Sequence, residues 1–203
     1  MKLFRLFLVS LLLPALDTEA QTTNSSTAAG TKPFKSNSSR HYWMGKNYRK
    51  EWNTTVSATV INLSTINGGL KPTKRGGGKQ TKSLKLEDAQ GRAYYLRSVQ
   101  KFISAKTLPG GLESQAAADI VTDGVSASYP YSVFSVIPLS EAAGIPHGSV
   151  RLVYVGDDPV LGEHKSDFGN MLALFEQRLP DSVNKSWDTE EVVAKLKDDN
   201  DHR

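Results

Sequence analysis

The 203-residue chain predicts an α+β fold, a twisted and mainly antiparallel sheet with flanking helices, and three observations carry that expectation. Short runs rich in β-branched and aromatic residues alternate apolar and polar side chains. Two of these runs meet across a five-residue turn, which makes them an antiparallel hairpin. An Ala-rich stretch of helical length then intervenes before further strand-like runs.

Residues 1–20 read as an export signal. Lys2 and Arg5 form the positive region, Leu6 to Leu13 the apolar region, and Ala20 the small residue at the cleavage site, so the mature chain begins near Gln21. The apolar run is too short to span a membrane, and Pro14, Asp17 and Glu19 follow it. No transmembrane segment is expected after signal cleavage. Residues 21–41 are mostly Thr, Asn, Ser, Ala and Gly and read as a disordered spacer, leaving residues 42–203 as one α+β domain. Order is expected from Tyr42, where Tyr42, Trp43, Tyr48 and Trp52 stand among Lys46, Arg49 and Lys50. Those aromatics are expected to pack on the domain, with an aromatic and basic contact surface as the alternative.

Val56 to Leu63 is β-branched and predicts a strand, ended by Asn67-Gly68-Gly69. Ser83 to Glu87 and Ala93 to Val99 are the hairpin strands around Asp88-Ala89-Gln90-Gly91-Arg92. Leu112 to Ser128 is helical. Tyr131 to Ile137 reads as a strand, Pro138 to Gly144 as a short helix that stops at glycine, and Arg151 to Val155 as a further strand closed by a turn at Asp157-Asp158-Pro159. Phe168 to Arg178 fits strand better than helix. Ser186 to Glu191 carries a helix-start signature, and Val192, Val193 and Leu196 share one face of the helix it would open.

The chain has no cysteine, which excludes a disulfide framework and a lipid-modified N-terminal cysteine and suits a bacterial periplasm or cell surface. The formal charge of +4 is concentrated in the front half. Because no aromatic residues interleave the cations of Gly68 to Leu86 and the chain is exported, no nucleic-acid partner is expected. The charge centres on Gly68 to Leu86. In this segment Gly76, Gly77 and Gly78 let backbone N–H groups face an anion, and Lys74, Arg75, Lys79 and Lys82 supply compensating charge. A solvated loop is the plainer reading of the same residues.

Five stretches carry a resemblance: Gly68-Gly69-Leu70-Lys71-Pro72, Arg75-Gly76-Gly77-Gly78-Lys79-Gln80-Thr81, Leu96-Arg97-Ser98-Val99, Leu152-Val153-Tyr154-Val155 with Asp157-Asp158-Pro159, and Asp198-Asp199-Asn200-Asp201-His202-Arg203. Over residues 42–203 the chain resembles a block of uncharacterised exported proteins of Bacteroidota, a block that accompanies calcineurin-like phosphoesterase domains or outer-membrane surface-antigen barrels. The resemblance implies an N-terminal piece of a larger envelope protein, truncated at its C-terminus, whose partners are other envelope proteins or downstream domains of a longer chain. The metal-binding signatures of the phosphoesterase are absent from the sequence, so that activity is not carried over.

The element order is also similar to the small lobe of a kinase-like fold, in which a glycine loop covers phosphates and a strand cation holds them. Gly76, Gly77, Gly78, Lys79 and Thr81 would form the cover and Arg97, or Lys101, the cation. The glycine spacing matches neither a kinase loop nor a P-loop, the strand cation is Arg rather than Lys, and no catalytic loop follows. The leading expectation is therefore a non-catalytic envelope module with no cofactor. The alternative is a phosphate- or nucleotide-binding lobe that takes a nucleotide with magnesium. Asp157, Asp158, Glu163, His164 and Asp167 invite a metal but lack the spacing of a calcium loop, so an acidic turn is the stronger reading. No Ser-His-Asp constellation can be assembled.

Overall fold

The computed structural model describes residues 23–30, 34–77, 80–104, 107–108, 110–111, 113–178 and 189–200. The export signal and the helix-start residues Ser186 to Asp188 lie outside them. One seven-stranded sheet organises the chain, with strands β1 (Asn24–Ala28), β2 (Thr55–Ile61), β3 (Lys71–Gly76), β4 (Ser83–Glu87), β5 (Ala93–Ser98), β6 (Val150–Val155) and β7 (Met171–Gln177). Across the sheet the order is β1-β2-β6-β7-β5-β4-β3. Every neighbouring pair is antiparallel except β2 with β6. The helices are α1 (Ser38–Met44), α2 (Arg49–Asn53), α3 (Gln115–Val125), α4 (Val133–Ala142), α5 (Lys165–Phe168) and α6 (Thr189–Asn200). The fold is α+β, as the strand patterning and the intervening helices predict. Among the described residues no helix is long and apolar enough to cross a membrane.

The period-two pattern decides the two faces. Leu84 and Leu86 of β4 alternate with half-buried polar residues, and Tyr94 and Leu96 of β5 alternate with the less buried Ala93, Tyr95 and Arg97. These four join Val153, Val155, Ala173 and Phe175 in one core, which Leu161 and Phe168 close from the segment around α5. Tyr94 stacks on Phe175 with ring centroids 5.5 Å apart. The opposite face is apolar over β2 and β7, where Ala58 and Leu172 pack with Trp52 of α2, and Val125 and Tyr131 lie against them. The β4–β5 turn is an Asp turn as the residues predict: the Asp88 carboxylate accepts from the backbone N–H of Gln90 at 3.0 Å and of Arg92 at 2.9 Å.

Four expectations need correction. The proposed spacer at 21–41 contains β1, paired from Asn24↔Thr59 to Ala28↔Thr55, and the start of α1 at Ser38. An edge strand needs a ladder partner on one side only, so polar Thr and Ser suffice for it. Asn37 also caps α1, its side chain accepting from Arg40 N–H at 2.8 Å. The glycine-lysine segment is strand rather than loop over Lys71–Gly76. Because β3 is the other edge, Pro72 and the cations cost its ladder little. Of the run Tyr131 to Ile137, residues Val133 to Ile137 belong to a helix, α4, with Pro138 inside it and the two residues before it in a turn, since a short apolar run does not distinguish a strand from a helix. Its end is as expected: Gly144 follows with a φ of 66°. Of the aromatics near α1, Trp52 is buried at 1% exposure, but Tyr42 and Trp43 are 81% and 77% exposed.

Candidate functional site

The β3–β4 hairpin builds the site that the sequence proposes. Its register runs Arg75↔Leu84 and Gly76↔Ser83, and Ser83 pairs onward with Arg97 of β5. The sheet thus brings Gly76, Gly77 and Arg97 to one end, although 21 positions separate Gly76 from Arg97 in the chain. Gly78 and Lys79 lie outside the described residues. Gly77 has a φ of 113°, and a Cβ there would sit 2.2 Å from the Thr81 carbonyl oxygen. Glycine is required at that point by the closeness of the turn, where the backbone of Thr81 to Ser83 approaches it. Gly76 has no such neighbour. The far side of the turn is anchored to the end of β5 and to the chain just after it. The Gln80 carbonyl accepts from Phe102 N–H at 2.7 Å, and Lys82 N–H donates to Ser98 Oγ at 3.0 Å.

The cations around this turn are tied to carboxylates. Arg75 Nε and Lys82 Nζ each lie 2.7 Å from a different oxygen of Asp167, on α5. Lys82 also stands over the Phe102 ring at 4.1 Å from its centroid. The Lys82 hydrogen bond holds the Asp167 carboxyl below the ordinary value of 3.8; burial opposes it, and the charges of Lys82 and Arg75 add to the lowering. Arg97 donates from Nε to Glu176 Oε1 at 2.7 Å and lies 5.3 Å from the centre of the Tyr95 ring. Two of the proposed phosphate-compensating cations, and the strand cation itself, therefore have anionic partners within the fold.

The acidic turn after β6 separates into unrelated roles. Asp158, 2% exposed, caps the 3-10 helix at Pro159–His164. Its carboxylate accepts from Val160 N–H at 2.9 Å, Ser64 N–H at 2.9 Å and Ser64 Oγ at 3.0 Å. Burial alone would raise its pKa, but the hydrogen bonds from Ser64 and Val160 outweigh burial and lower it. Asp157 pairs with Lys165 at 2.7 Å and Asp167 faces β3 and β4. Among the described residues no group of three His, Asp or Glu side chains converges as metal ligands would.

A second constellation has no local signal in the sequence. Arg49, 1% exposed, donates to Asp123 of α3 at 2.5 Å and to the carbonyls of Gly45 and Lys46. Arg40 reaches the other Asp123 oxygen at 2.9 Å. These partners are 74 and 83 positions apart, so only the fold brings them together. Beside them lies a cavity of about 630 Å³, lined by Phe34, Trp52, Phe102, Arg40 and Asp119 among others. The pairing locks α1 and α2 onto α3 under this cavity.

Comparison with known proteins gives no match to the chain among family models, curated proteins or solved structures.

Proposed function

We propose that this chain is a non-catalytic module of an exported envelope protein, acting at the periplasm or cell surface alongside other envelope proteins or downstream domains. One observation carries the non-catalytic half of that reading. The hairpin that offers itself as a phosphate grip is held as a clamp, with Arg75 and Lys82 on Asp167 and Arg97 on Glu176. A cation held at 2.7 Å by a carboxylate has its charge largely offset before a phosphate arrives, which makes the turn a poor preformed anion site. The exported half rests on the three-part pattern of residues 1–20 and on the resemblance to envelope proteins of Bacteroidota. Expression in a bacterium with an intact export system tests it. The expected product is an envelope-fraction protein whose N-terminus is close to Gln21, and an unprocessed cytoplasmic chain starting at Met1 would overturn it.

A second reading, a kinase-like lobe that holds a nucleotide with magnesium through Gly76, Gly77, Gly78, Lys79, Thr81 and Arg97, is favoured by a specific arrangement. A glycine turn joins two hairpin strands, the third strand carries a cation at the same end, and helices precede the next two strands. In kinases the strand cation pairs with a helix carboxylate and the phosphates. Here its carboxylate is Glu176, on the adjacent strand β7, and this difference places the reading second.

A further inference from the structure

We propose that the open face of β3, β4 and β5, centred on Lys74 and Lys85, is a binding surface for ligands carrying two or more adjacent phosphoryl groups. Three observations converge on these side chains. The first is a β-bulge. Pro72 pairs with Leu86, whose side chain is in the core, and Lys74 pairs with Lys85, so Thr73 is the extra residue. Regular alternation from Pro72 would set Thr73 opposite Lys85 and turn Lys74 toward the core face beside Leu84. The bulge instead sends Lys74 to the solvent face and leaves Arg75 on the core side, where it meets Asp167. Bulges re-aim side chains in this way, and they recur next to functional sites.

The second observation is the pair itself. Lys74 and Lys85 stand directly opposite across antiparallel strands, with Cβ atoms about 5 Å apart, an arrangement of like charges that destabilises a sheet. An edge lysine such as Lys71 or Lys74 is explained by protection against edge-to-edge pairing. That explanation does not extend to Lys85, which is half-buried on the inner strand β4. Neither ammonium group has an anionic partner among the described residues. The sheet's own carboxylates on this face are Glu87, across from Lys71, and Glu176, which Arg97 occupies.

The third is the surround. Tyr95 is directly across from Lys85 on the next strand, and Arg97 lies diagonally about 7–8 Å from Lys85. Its guanidinium covers the Tyr95 ring at 5.3 Å. Arg97 is offset by Glu176, and the two unpaired ammonium groups one strand spacing apart beside an aromatic ring match the charge density of a diphosphate or polyphosphate better than that of a single sulfate. The surface needs no residue of the glycine turn, and it shares only Arg97 with the nucleotide reading.

Titration calorimetry of the mature protein with inorganic tripolyphosphate, paired with sedimentation on phosphatidylglycerol vesicles, tests the surface and separates a soluble from a headgroup source. The expected result is salt-sensitive binding of tripolyphosphate, weakened tenfold or more by Lys74→Gln with Lys85→Gln and unchanged by Lys79→Ala. Thermal melting of the double variant supplies a second readout: removing the like-charge pair should leave the melting temperature unchanged or higher. Failure of the wild type to bind tripolyphosphate, binding of the vesicles alone, equal binding by the double variant, or loss confined to Lys79→Ala would each overturn the proposal.

Discussion

Replacing Asp167 with Asn tests the clamp on the hairpin most severely, because one carboxylate holds both Arg75 and Lys82. Its side chain is 25% exposed, that of Lys82 21%, and that of Arg75 53%. The Lys82 arm is a charge-assisted bond between half-buried groups, worth about 1–2 kcal/mol. The Arg75 arm is half in water and is worth about 0.5 kcal/mol after screening. The variant should therefore lose about 2 kcal/mol, and a domain of this size shifts its Tm by roughly 2–4 °C per kcal/mol, giving a fall of about 4–8 °C. The pH dependence has a definite sign. The folded-state pKa of Asp167 is depressed below 3.8, so the contribution is present above that value and is lost as pH falls through the lower folded-state value. Circular dichroism melts from about pH 7 to about pH 2 would show the difference between wild type and Asp167→Asn shrinking in the acid range. A variant that melts within about 1 °C of wild type near neutral pH would refute the clamp and leave the hairpin cations available for another role.

The buried ion pair beneath the cavity makes a contrasting prediction. Asp123→Ala leaves Arg49 buried without its carboxylate and should cost about 3–5 kcal/mol, whereas Arg40→Ala, whose side chain is 37% exposed, should cost about 1 kcal/mol or less in the same denaturant titration. At the turn, Gly77→Ala places a Cβ 2.2 Å from the Thr81 carbonyl at a positive φ, so the thermal melt should show a loss of about 1–3 kcal/mol. Gly76→Ala, with open space at its Cβ, should be close to neutral.

The parts of the fold that are legible in the sequence are those whose stabilising forces act locally. β4 and β5 can be read because alternating Leu and Tyr residues, together with the turn at Asp88, are written within about fifteen residues. β1 and β3 are hidden for a common reason: each is an edge strand, so the apolar content used to recognise strands is not required of it. In β3 the same Pro72 and cations that imitate a loop are tolerated at an edge. α4 is misread because Val133 to Ile137 is apolar without a decisive period, and Pro138 suggests a helix start rather than a helix interior. The register Gly76↔Ser83↔Arg97 sets the glycine turn and the cations around it at one end of the sheet. Their neutralisation is not legible, since Asp167 and Glu176 reach Arg75, Lys82 and Arg97 only through the order in which β7, β5, β4 and β3 assemble. The Arg49–Asp123 pair is invisible for the same topological reason.

The central claim, that the clamped hairpin belongs to a non-catalytic module, is tested most directly by turnover. Purified mature protein would be incubated with magnesium and either ATP or a phosphomonoester, beside a Lys79→Ala, Arg97→Ala double variant purified identically. Release of phosphate, or its transfer to an acceptor, would be followed over many hours. The account predicts the same trace from both proteins, indistinguishable from the protein-free control. Sustained turnover by the wild type that the double variant lacks would contradict it and make the glycine turn and Arg97 parts of a working site.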